Sequence, residues 1–276
     1  GNNNLEKAFG VTTDTSGYIY ITGQEAGQFD GQNSVGGFDF LIVKYNSSGT
    51  KQWSRLFGTS SFDYGNAIAT DSSNNVLVVG STRGQFDGNT AFGDEDLFVT
   101  KYNSSGTVQW TKQLGSSNRD IAYGVETDSS DNVIVVGLTW GELDNNTHYG
   151  ATDIFVIKYN SSGTKQWINQ VGTSEGDEAH AVSIDSSDNI YVAGTAGKLY
   201  GSSSKGAFLV KYNPSGIKQW NQYFGGSYQT SPNGVAIGTS GNIYVAGGTY
   251  NQLDGSTNFG SSDFFVVKFN SNGTKQ

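Results

Sequence analysis

Apolar and polar residues alternate along this chain in short runs, separated by clusters of Asn, Asp, Ser and Gly. Within residues 58–114 the runs are Gly65–Thr70, Val76–Ser81, Asp96–Tyr102 and Thr107–Leu114. Alternation with a period of two, bounded by turn formers, predicts four β-strands, A to D. The A–B connection, Asp71–Asn75, and the C–D connection, Asn103–Gly106, are short and rich in residues that form Asx turns and tolerate left-handed backbone. The B–C connection, Thr82–Glu95, is longer. No stretch holds a helical period over the length a helix needs.

The same four-strand pattern recurs along the whole chain. The segment KYNSSGTKQW at Lys44–Trp53 returns at Lys101–Trp110, Lys158–Trp167 and Lys211–Trp220 with small changes, and a fifth copy runs from Lys268 to Gln276. Each of the four Trp residues is followed five positions later by Gly58, Gly115, Gly172 or Gly225, which sets repeats at 1–57, 58–114, 115–171, 172–224 and 225–276. Such units cannot bury their faces alone and must stack or radiate. In strand A, Gly10, Ala67, Gly124, Ala181 and Gly234 form a small lane, and Val11, Ile68, Val125, Val182 and Val235 form a β-branched lane on the opposite face. A small lane lets neighbouring backbones approach while the branched lane fills the gap between sheets. The expected fold is all-β: one β-propeller domain of five four-stranded blades in a ring, with an open stack of sheets as the alternative.

The strings TDSSNNVLVVG (Thr70–Gly80), TDSSDNVIVVG (Thr127–Gly137) and IDSSDNIYVAG (Ile184–Gly194), with the Lys-Tyr-Asn turns, resemble the bacterial SBBP β-propeller repeat family over the whole chain. The resemblance implies a propeller in a secreted or cell-surface protein of bacterial origin. The family's name suggests seven blades, where this chain has five repeats. The family has no single chemistry, so the resemblance assigns no catalytic residue.

Charge and composition narrow the picture. The net charge of −9 argues against a nucleic-acid partner, which needs clustered Lys and Arg. The chain lacks an apolar run long enough to span a membrane. It has no Cys, which rules out disulfides and thiolate chemistry. Gln276 stops one residue short of the expected Trp, so the last blade is expected to lack its outer strand. The natural chain is then expected to continue, and an unpaired edge there would pair with that continuation or with another chain.

The A–B and C–D turns fall on one face of the repeats and are nearly invariant; the B–C and D–A loops fall on the other and vary. Binding residues sit preferentially on variable loops held by a rigid scaffold. The varied face carries Arg83, Trp140, His148, Tyr149, Tyr200 and Tyr250 as candidate ligand-binding residues, since aromatics among polar neighbours suit sugar stacking or protein contact. Phe9, Asn66, Tyr123, His180 and Asn233 form a varied lane in strand A that is either interface filler or a small-ligand site. The B–C loops also carry aspartates nine apart: Asp30 and Asp39, Asp87 and Asp96, Asp144 and Asp153, Asp254 and Asp263. They shape Asx turns and loop entries, or they bind calcium, the one cofactor the sequence suggests.

Catalytic motifs are not evident. No nucleophile elbow or P-loop occurs, the two histidines lie in different repeats, and near-identical carboxylate pairs lack the differentiation an acid–base site needs. The expected function is a non-enzymatic binding or scaffold module that recognises a glycan or a protein through the B–C/D–A face. A structural segment of a fibre or stalk, and a glycan-active hydrolase, are the competing readings.

Overall fold

The computed structural model describes residues 5–197, 206–225, 230–250, 253, 255–257 and 259–276. Strands β1 (Glu6–Thr13), β2 (Ile19–Glu25), β5 (Asp39–Tyr45) and β6 (Lys51–Phe57) form the first antiparallel sheet, in that order. A small hairpin, β3 (Gln28–Phe29) and β4 (Gln32–Asn33), occupies its B–C loop. The second sheet holds β7 (Asp63–Thr70), β8 (Val76–Thr82), β9 (Asp96–Tyr102) and β10 (Val108–Leu114). The third holds β11 (Asp120–Thr127), β12 (Val133–Thr139), β13 (Asp153–Tyr159) and β14 (Lys165–Val171). The fourth holds β15 (Glu178–Ile184), β16 (Ile190–Ala196), β17 (Gly206–Tyr212) and β18 (Lys218–Phe224). The fifth, among the described residues, holds three strands: β19 (Thr230–Ile237), β20 (Ile243–Thr249) and β21 (Asp263–Phe269). No helix occurs among the described residues, and none is long and apolar enough to cross a membrane.

Each sheet packs face to face on the next. Val76, Val78 and Phe98 of the second meet Tyr20, Phe40 and Ile42 of the first, and equivalent clusters join the later sheets. The small lane works as expected: a Cβ on Gly10 would touch Ile68, and one on Gly124 would touch Val182, so the branched residue of one sheet inserts against the small residue of the one before. The invariant C–D motif ties the same junctions. The indole nitrogens of Trp53, Trp110 and Trp167 donate to carbonyls of the next repeat's turn, at Ser104, Ser161 and Pro214. The glycines of those turns, Gly106, Gly163 and Gly216, adopt positive φ and lie directly against the rings. Lys101 and Lys158 reach the same two carbonyls that Trp110 and Trp167 do, and also pair at 2.7 and 2.8 Å with Asp71 and Asp128 of their own A–B turns. These two lysines therefore tie neighbouring sheets together.

The ring closure expected from the repeats is not what the structure shows. The five sheets stand in series beside the small hairpin, and the outward faces at the two ends stay open: Val11 is 66% exposed at one, Phe264 89% and Val266 62% at the other. At every internal junction these same positions are covered by the neighbouring sheet. The repeated four-stranded β-propeller unit is secure, and a closed ring of five is not formed.

Candidate functional site

The varied lane in strand A has a backbone origin. In every repeat the A–B pairing shifts register there: between Ala8 and Gly10, Gly65 and Ala67, Ala122 and Gly124, Ala179 and Ala181, and Pro232 and Gly234. The skipped residues are Phe9, Asn66, Tyr123, His180 and Asn233. A bulged residue has no cross-strand partner, so its side chain is free to vary. Opposite each bulge stands a glycine, and a Cβ on Gly80, Gly137 or Gly194 would collide with the carbonyl of Tyr64, Ile121 or Glu178. Tyr123 and His180 stack with ring centroids 5.8 Å apart. Burial lowers the pKa of His180 and raises that of Tyr123.

The aspartates nine apart do not act as pairs. Asp30 lies at positive φ and accepts from Lys51 Nζ and Ser54 Oγ, both at 2.5 Å. Asp144 has the same backbone and meets Lys165 at 2.5 Å, while Asp87 shares the left-handed conformation. The second members turn instead to their own loops. Asp39, Asp96, Asp153 and Asp263 accept from the backbone N–H four residues back, at Val35, Phe92, Tyr149 and Phe259. The first aspartate shapes a turn and the second closes the loop, so the spacing serves geometry. Asp254 lies outside the described residues. Among the described residues no three His, Asp or Glu side chains gather to hold a metal ion.

A different set of carboxylates does converge. Asp63 and Asp120 begin strand A of their repeats and Asp177 directly precedes it in the next, and each feels the charge of the loop-closing aspartate of the previous repeat: Asp39, Asp96 and Asp153. Gly58, the invariant glycine after Trp53, leaves room for the first pair, since a Cβ there would meet both Asp39 and Asp63; Gly115 and Gly172 likewise clear Asp96 and Asp153. Burial, chiefly, pushes Asp120 up to about 6, with the Asp96 charge adding to it and hydrogen bonds from Thr139 and Ser116 opposing.

Of the predicted ligand-binding residues, Arg83 and Trp140 are brought into one band on the B–C/D–A face. They occupy the same position in successive repeats, just past the end of strand B. The Arg83 N–H donates to the Phe62 carbonyl at 3.0 Å and the Trp140 N–H to the Arg119 carbonyl at 2.9 Å, which fixes both side chains at the rim. Glu95, 2% exposed, lies between them. Its Oε2 accepts from Nε and Nη2 of Arg119, both at 3.0 Å, and from the same edge of Arg83 at 3.3 and 3.2 Å. Its Oε1 accepts from Ser81 Oγ at 2.6 Å. Each guanidinium also lies over an aromatic ring: Arg83 over Phe62 at 5.6 Å and Arg119 over Trp140 at 5.0 Å. The order across the rim is Phe62, Arg83, Glu95, Arg119, Trp140.

Sequence reasoning missed Phe62, Glu95 and Arg119. Their positions do vary between repeats, but a varying column does not show which column of the next repeat it faces. The structure supplies that through a parallel backbone bridge at each of the first three junctions, Phe38 to Phe62, Glu95 to Arg119, and Thr152 to Gly176. His148 shares a cleft of about 430 Å³ with Trp140, Asn118 and Glu142, and its Nδ1 stands 3.2 Å from Asp153 Oδ2. Tyr149 is exposed beside it. Tyr250 lines a separate cleft at the fifth sheet with Asn233 and Asp263. Tyr200 lies outside the described residues.

Tandem four-stranded units, glycine-relieved bulges and a constant turn face against a varied loop face define a β-propeller-repeat protein. The chain belongs to the SBBP β-propeller repeat family, whose model matches residues 52–87, 109–144, 166–199 and 219–253, half of the chain. A β-propeller domain of unknown function matches 239–275. Regulatory protein FlaEY of Caulobacter vibrioides is 27% identical over 249 residues, covering 80% of this chain and 25% of that protein. The chain spans a quarter or less of the length of the curated relatives it matches. Among solved structures, a protein of unknown function from Dyadobacter fermentans superposes with a TM-score of 0.61 at 12% identity, over 99% of this chain and 81% of that one. An ulvan lyase of a polysaccharide lyase family superposes with a TM-score of 0.55 at 14% identity, over 96% of this chain and 68% of that one. That likeness corrects the expectation that the chain is not an enzyme. The expectation rested on the lack of catalytic motifs and on repeated, undifferentiated carboxylate pairs, and the likeness shows that this fold is also found in a lyase.

Proposed function

We propose that this chain recognises carbohydrate on its B–C/D–A face, at the rim band from Phe62 to Trp140, and that its five sheets serve as five propeller blades presenting that face. The observation that carries the reading is the departure of one junction from its repeats. Where the flanking junctions are closed by Phe38 with Phe62 or by Thr152 with Gly176, this one carries two partly exposed arginines on a buried carboxylate, with Trp140 beside an open cleft. Aromatic faces next to planar hydrogen-bond donors suit a sugar ring and its substituents. The likeness in fold to an ulvan lyase supports a carbohydrate ligand and leaves room for turnover.

Calorimetric titration against a panel of plant, algal and bacterial polysaccharides tests this, with products followed in the same samples. Binding is expected, and Trp140→Ala should weaken it about fivefold, the worth of one aromatic contact. A folded protein that binds nothing in the panel would overturn the reading.

A further inference from the structure

The Arg83–Glu95–Arg119 cluster is more polar than its place in the fold demands. The backbone bridge that joins the second and third sheets also forms where the side chains are Phe38 and Phe62, and where they are Thr152 and Gly176. An ion pair with one buried and one half-exposed partner adds little net stability over an apolar pair of similar size. Closing the junction therefore does not require it. Its charge is also unbalanced: two guanidiniums share one carboxylate oxygen. Their side chains are 42% and 43% exposed while Glu95 is sequestered. Glu95 takes the Nε and Nη2 edge of each arginine and an aromatic ring lies beneath each, so both guanidiniums are positioned before any ligand arrives. Planar, pre-positioned guanidiniums bind carboxylate and sulfate groups through paired charge-assisted hydrogen bonds.

Building on the carbohydrate reading above, we infer that Arg83 and Arg119 form an oxyanion subsite, so that the preferred ligand is an acidic glycan bearing carboxylate or sulfate groups. Glu95 is its positioning residue: it holds the two arginines and is screened by them from the ligand. Trp140 borders the subsite and offers the adjoining cleft to the neighbouring sugar.

The test compares three oligosaccharide series by calorimetry: polyuronates, the same oligomers with their carboxyls reduced to alcohols, and sulfated oligomers. The wild-type chain should bind an acidic series about tenfold or more tightly than the reduced one, with an affinity that falls as salt rises. The first and third series tell whether carboxylate or sulfate is the better group. Arg119→Ala and Arg83→Ala should abolish that preference, so that each variant binds the acidic and the reduced oligomers equally. The double variant Glu95→Phe with Arg119→Phe copies the aromatic pair of the preceding junction, so it should fold and also lose the preference. Equal binding of acidic and reduced oligomers by the wild type, or a preference that survives in the double variant, would overturn the oxyanion subsite and leave carbohydrate recognition standing. Failure to bind all three series would overturn both.

Discussion

Single side chains in this protein set its response to pH, and two groups of aspartates pull in opposite directions. Burial raises Asp120 to about 6, and Asp63 and Asp177 move the same way for the same reason. A carboxyl whose pKa is higher folded than unfolded binds its proton more tightly in the native state, so the stability it contributes is lost as pH rises through the folded value. Asp71 and Asp128 behave oppositely. Burial alone would raise them, but hydrogen bonds from Lys101 and Asn75, and from Lys158 and Asn132, hold them below the ordinary range. Their contribution is present at neutral pH and is lost only as pH falls below about 4. Stability should therefore peak near about pH 4 and decline as pH rises from about 4 through 6, which urea titrations across that range would show. Asp120→Asn should stabilise the protein at pH 7 by about 1–3 kcal/mol, and the gain should vanish near pH 4. An unchanged or lowered midpoint at pH 7 would refute this assignment.

Among the strands, the A–B bulge is the feature that ties sequence to site. It holds Tyr123 and His180 free of pairing and demands glycine opposite. In Gly137→Ala the new methyl would collide with the Ile121 carbonyl, which is backbone and cannot swing aside. The expected cost is about 3 kcal/mol or more, read as a fall in denaturation midpoint, because the strand pairing itself must shift. The Trp that closes each repeat is the second such feature. Trp110→Ala removes the cover over the turn at Gly163 and the hydrogen bond to Ser161, and should cost about 3 kcal/mol. Hydrogen exchange should then show loosening at the junction of the second and third repeats before the others. Both features are legible as constant letters in the repeat. Their reason is not, because a glycine that relieves a bulge and a glycine in an ordinary turn look alike in one sequence.

At the scale of the whole molecule, the series of sheets ends on two open apolar faces. Val11 on one face, and Phe264 and Val266 on the other, are exposed where the matching residues of the inner sheets are packed. Replacing Phe264 and Val266 together with Glu should leave the thermal midpoint nearly unchanged, since both side chains are exposed, while raising the temperature at which the protein aggregates. A large fall in midpoint would mean that these residues are covered in solution.

The sequence by itself determined the local order of this protein. The four strands of a repeat, the turns, the small and branched lanes and the division into a constant and a varied face all follow from period, spacing and turn chemistry, which act over a few residues. Arg83 and Trp140 were visible for the same reason, as unlike letters at one position of like repeats. Only the tertiary structure decided what depends on how one repeat lies against the next. It separated the aspartates nine apart, brought Asp96 towards Asp120, set Glu95 and Arg119 across a junction, and left the ends unclosed. Those outcomes are fixed by backbone bridges and packing between sheets, and the side chains that meet there carry no mark in the sequence of which neighbour they will face.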